Sequence, residues 1–184
     1  MIVPITDGEA ILRRETREIS ILVASEEVTI THARCAAGEQ VAGPHIHHEH
    51  TDAFYVLEGE LTFEIGREPE PITVSSGGFV AAPPEVAHSL RNDSDRPARW
   101  LTIHARDGGF AAFMRGIRDG VEVEWDISAV PADCGRSASV AIVQSGRPSR
   151  GERSIGSTQK TVGLSQCARI FLGQLSASPC SRAS

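Results

Sequence analysis

The stretch from Pro44 to Asp52, PHIHHEHTD, holds four histidines and two carboxylates in nine positions. Two pairs of the same kind overlap there, His45-Ile46-His47 and His48-Glu49-His50. On a β-strand, residues i and i+2 share a face, so either pair brings two imidazoles together, the second on the opposite face if the strand continues. A third imidazole, His88, lies in a separate alternating run, AHSLRN, beyond Pro83-Pro84. Imidazoles and a carboxylate from adjacent strands suit a divalent transition metal (Fe, Mn, Ni, Cu or Zn) with coordination positions open to a substrate. Histidines that merely hydrogen-bond one another are the alternative, and an HxH pair alone does not separate the two.

Such a site needs strands to position it, and residues 19–104 read as many. ISILVA, EVTITHARC, DAFYVLEG, ELTFEIG, PITVSS, GFVAAP, AHSLRN and RWLTIHA are short runs separated by Gly, Pro, Asn and Asp. Leu61, Phe63 and Ile65 alternate with Thr62 and Glu64, and Gly59-Glu60 reads as a hairpin turn. The pattern predicts an all-β sandwich or barrel. The period then changes in GGFAAFMRGIRDG, residues 108–120, where Phe110, Phe113, Met114 and Ile117 recur at helical spacing. One short helix is expected there, packed on the barrel with Arg115 and Arg118 toward water. The division is thus an N-terminal arm (1–18), a barrel (19–107), a helix with an acidic connector (108–143) and a Ser/Arg-rich tail (144–184).

Charge supports the last boundary. The chain of 184 residues carries a net −6, split as −11 over residues 1–143 and +5 over 144–184. The acidic body shows no basic stripe, which argues against nucleic acid as a partner. No stretch reaches the ~18 apolar residues of a membrane span, and the N-terminus lacks the order of a secretory signal, so a cytoplasmic protein is expected. Cys35, Cys134, Cys167 and Cys180 form no CxxC pair and read as free thiols. In the tail, Gly151-Glu152-x-x-Ile155 echoes Gly8-Glu9-x-x-Leu12. A second barrel repeat that begins and stops, an altered C-terminus and a disordered tail all stay open.

The framing residues resemble the two motifs of the cupin superfamily. The first, G-x5-HxH-x3–4-E-x6-G, is met by His45-Ile46-His47, four residues, Asp52, six residues and Gly59. The second, G-x5-P-x-G-x2-H-x3-N, is met by Gly77, Pro83, Glu85, His88 and Asn92. The likeness spans about residues 20–106. It implies a cupin fold, a double-stranded β-helix or jelly-roll barrel, with one short helix after the last barrel strand. It also puts His45, His47 and His88 in the metal-ligand positions and leaves His48 and His50 in a turn, as solvated loop side chains. Three positions depart from the motifs. Gly38 rather than Gly43 is nearer the opening glycine; Glu85 replaces a turn glycine, implying a turn without positive φ; and Asp52 replaces the usual glutamate. One methylene shorter, Asp52 is left as a direct ligand, a ligand through water, or a group that orients an imidazole. It is also the candidate catalytic proton acceptor.

Phe54, on the strand face of Asp52, and His104, with Trp100 and Thr102 on another strand, are the candidate substrate contacts. PARWLTIHARDGGFAAFMRGI is similar to the last strand and following helix of small quercetin-dioxygenase-like cupins. That resemblance implies a metal-dependent oxygenase acting on a small aromatic or enol-type substrate. A cupin isomerase or epimerase would need the same ligands, and a non-catalytic small-molecule-binding barrel is the third reading. Barrels of this kind commonly pair through an edge strand, which implies a homodimer.

Overall fold

The period-2 runs become strands, several of which bury every second residue. The structure, a computed structural model, describes residues 4–66, 70–130, 138–143 and 160–162. The strands are β1 (Glu9–Arg13), β2 (Arg17–Ala24), β3 (Thr29–Cys35), β4 (Gln40–His45), β5 (Thr51–Glu58) and β6 (Glu60–Ile65). They continue as β7 (Ile72–Ser75), β8 (Phe79–Ala82), β9 (His88–Arg91) and β10 (Ala98–Ala105). The helix α1 (Phe110–Asp119) follows, then β11 (Ala138–Val143) and β12 (Lys160–Val162). Among the described residues they form two sheets, β1-β2-β3-β10-β5-β8-β11-β12 and β4-β9-β6-β7. This is the expected all-β barrel with one short helix after β10, and β11, within the stretch read as connector, adds to β8 beyond that helix. Residues 9–13, within the stretch read as an arm, pair with β2 as a strand. Outside the described residues lie 144–159 and 163–184, and with them most of the tail and the question of a second repeat.

Two cross-strand registers set up the chemistry. His45 of β4 lies opposite His88 of β9, and His104 of β10 lies opposite Asp52 of β5. All four side chains are buried and face inward. Beneath them Val56, Leu61, Phe63, Val74 and Val80 are wholly buried. At about 1.5–3 kcal/mol for each such side chain, this core holds the strands rigidly.

The turns are equally specific. Gly59 has φ +73°, and a Cβ there would lie 2.5 Å from the Pro97 carbonyl oxygen, so the β5–β6 turn requires glycine. Glu85 corrects an expectation: despite its side chain it takes φ +65°. The turn into β9 needs that left-handed step whichever residue occupies it. Glu85 N–H donates to the His47 carbonyl at 2.7 Å, and its carboxylate meets His48 Nδ1 at 2.8 Å. Asn92, at the end of the second motif, is structural: its amide donates to the Ala36 and Arg96 carbonyls at 2.9 and 2.7 Å.

Helix α1 buries Phe110, Phe113 and Met114 against the barrel, as their spacing predicts. The Asp107 carboxylate accepts from the Gly109 and Ala111 amides at 3.0 Å each and so caps its start. Arg115 and Arg118, expected to face water, are half-exposed and both pair with Glu9 at 2.7 Å, tying the helix to β1. Among the described residues no helix is long and apolar enough to cross a membrane. Cys35 is buried and unpaired; the other three cysteines lie outside the described residues.

Candidate metal centre

The two registers and the loop after β4 bring His45, His47, His88 and Asp52 together, each buried and with one potential ligand atom within 4.8 Å of the others. Their tautomers follow from what the rings touch. His45 Nδ1–H donates to the Gly43 carbonyl at 2.7 Å, and His88 Nδ1–H to the Val86 carbonyl at 3.0 Å. His47 Nδ1–H donates to the Asp126 carbonyl. A carbonyl only accepts, so the proton of each neutral ring sits on Nδ1 and Nε2 carries a lone pair. Such backbone bonds fix a ligating histidine's orientation.

Those bare nitrogens face a carboxylate. Asp52 Oδ2 lies 3.4 Å from both His47 Nε2 and His88 Nε2. Lone pairs facing one another repel unless a cation lies between them. Burial, then the neighbouring His88, pushes the His45 pKa down to about 3, so that ring is neutral near pH 7. Burial pushes the Asp52 carboxyl up, but contacts with His104, His47 and His50 outweigh it and hold Asp52 ionised, well below its usual value. His47 Nε2 is buried without a hydrogen-bond partner, while His88 Nε2 and Asp52 Oδ2 stand at hydrogen-bond geometry, 3.4 Å apart. A buried cluster of three imidazoles with their Nδ1 atoms committed, one Nε2 orphaned, beside a carboxylate fits a divalent transition ion.

His48 is a half-exposed loop residue, as the register implies. His50 is not. It is 1% exposed, its Nδ1–H donates to Asp126 Oδ2 at 3.2 Å, and its Nε2 lies 3.2 Å from Asp52 Oδ1. The chain turns inward at this point because residues 121–130, the acidic connector, return across the barrel mouth. Ile46 and Ser128 exchange backbone hydrogen bonds at 3.1 Å, while the Asp126 carboxylate accepts from the His48 and Glu49 amides at 2.8–3.0 Å. Trp125 stacks on His50 and Phe113 and leans on His47. Sequence reasoning missed Trp125 and Asp126; a tryptophan in a polar connector is their one signal, since so large a ring is seldom left in water.

Phe54 and His104, the candidate substrate contacts, both line a cavity of about 90 Å³ beside the histidines, with Trp100, Phe113, Met114 and Trp125. Phe54 is buried, with its ring 6.1 Å from that of His88. His104 stacks on Phe110 and places Nδ1 2.6 Å from Asp52 Oδ1.

Fold and cluster together define a jelly-roll barrel with inward imidazoles and a carboxylate. Comparison makes this specific: the family described as "Cupin domain" matches residues 31–104, which marks that part of the chain as a cupin domain. Among solved structures it is similar to KdgF from Halomonas sp., with 16% identity, 58% of this chain and 93% of that one covered, and a TM-score of 0.51. A predicted oxalate decarboxylase from Thermotoga maritima matches at 18% identity, 58% and 99% coverage, and a TM-score of 0.51. Both likenesses establish the fold alone. No curated protein matches the chain.

Proposed function

We propose that this protein is a metal-dependent oxygenase of small enol-type substrates, with His45, His47, His88 and Asp52 as ligands. The buried cluster of three imidazoles, each anchored through Nδ1 to a backbone carbonyl and grouped with the ionised Asp52, carries this reading. A bound divalent ion would supply Lewis acidity and a template on which an enolate oxygen and O2 meet. The chain does the rest. The Gly43, Val86 and Asp126 carbonyls hold the three rings in ligand orientation, and Trp125, Phe54 and Phe113 give the cavity apolar walls.

Two observations narrow the choice of substrate and role. The cavity, of about 90 Å³ and walled in part by Trp125, suits a compact β-diketone or enediol. Asp52 is flanked by four imidazoles, which favours a ligand over a free proton carrier and so favours oxygenation over acid–base isomerisation. Oxygen uptake by protein reconstituted with Fe, Mn, Ni or Cu, offered small β-diketones and enediols, tests the proposal. Turnover by the wild type that His88→Ala abolishes is expected; no uptake with any of these metals contradicts it.

A further inference from the structure

Asp52 has two oxygens, and only Oδ2 faces the site described so far. Oδ1 looks the other way, 3.2 Å from His50 Nε2 and 2.6 Å from His104 Nδ1. Neither contact has the angles of a hydrogen bond, and all three atoms are buried without a hydrogen-bond partner. His50 Nδ1–H is committed to Asp126 Oδ2, which leaves Nε2 as the atom turned toward Asp52 Oδ1. A second set of donors is thus built, His50, Asp52 and His104, all buried and with ligand atoms within 4.8 Å of one another. Phe110 and Trp125 wall it off from solvent, stacked on His104 and His50 respectively. A third grouping, His47, His50 and Asp126, is weaker, because the Asp126 oxygens already accept from two amides and the His50 ring.

We infer that His50, His104 and Asp52 Oδ1 hold a second divalent transition ion, with the Asp52 carboxylate bridging two metal sites. Two imidazoles and a carboxylate are a sufficient protein donor set, with water completing the shell. The inference rests on the proposed function only through the shared Asp52. The competing occupant is a proton on His104 Nδ1. An ion displaces that proton and requires the 2.6 Å contact to open to about 3 Å, the spacing of neighbouring ligands held at ~2.1 Å from one metal. The shorter arm of aspartate suits this arrangement: it stops between the two groups of imidazoles, with one oxygen toward each.

The test is a count of ions. The full untagged chain is stripped with a chelator, titrated with Co(II), freed of unbound ion by gel filtration and measured by elemental analysis. Two ions per chain are expected, falling to one in His50→Gln and in His104→Gln, and to one in the His47→Ala/His88→Ala double variant. A wild type that saturates at one ion, retained in His50→Gln, overturns the second site and leaves the first standing. No bound ion at all overturns both. His104 lies on a central strand, so if its variant does not fold, His50→Gln and the wild-type count decide. With two Cu(II) bound, a bridging carboxylate should attenuate the electron paramagnetic resonance signal; full intensity from two uncoupled ions contradicts the bridge.

Discussion

Asp52 is ionised, buried and surrounded by imidazoles, an arrangement that is stable only with positive charge close by. Asp52→Asn keeps nearly the same shape and removes the charge. It should weaken Co(II) binding by at least ~10-fold in calorimetric titration while the circular dichroism spectrum is kept; unchanged affinity would remove Asp52 from the ligand set. His45 makes a complementary prediction about pH. Its ring protonates near 6.5 when unfolded but only near 3 when folded, so between these values the unfolded chain binds more protons. The metal-free protein should therefore lose stability as pH falls from 6.5 toward 3, by up to about 1.4 kcal/mol per unit from this group, and this group should add no slope above 6.5. Urea midpoints at pH 7, 5.5 and 4.5 check this, and His45→Gln should flatten the slope. His45, His47, His88 and Asp52 were legible because motif spacing gives a register. His50 was not, since burial of a turn residue is decided by whatever later segment covers it.

The connector is that segment. Asp126→Ala removes the acceptor for two amides and the His50 ring, and should destabilise the fold by about 1–3 kcal/mol in thermal or urea unfolding. It should also lower metal affinity, because His47 and His50 both lose a firmly placed neighbour. Gly59→Ala at the β5–β6 turn combines a positive φ with a 2.5 Å approach to the Pro97 oxygen, and should cost more than ~2 kcal/mol. The strands were readable from alternation, as in Leu61, Phe63 and Ile65, and α1 from the Phe110, Phe113, Met114 stripe. Residues 121–130 have neither period, and they are held by single contacts that a pattern does not encode. Glu85 shows the same limit: the turn's backbone demand overrode the preference of the residue occupying it.

At the scale of the whole molecule, the centre joins strands that are distant in sequence. His45 and His47 come from β4 and its following loop, Asp52 from β5 and His88 from β9, so a bound ion cross-links both sheets. Ion at 100 times its dissociation constant should stabilise the chain by about 2.7 kcal/mol. Chelation should accordingly lower the unfolding temperature by several degrees in calorimetry, and the His47→Ala/His88→Ala double variant should show a smaller change. The most direct measurement is an anomalous-difference map from crystals of the untagged protein carrying its co-purified metal. A peak about 2 Å from Nε2 of His45, His47 and His88 is the expected result. Crystals with no peak there, and with the three rings hydrogen-bonded to Asp52 instead, would contradict the metal centre.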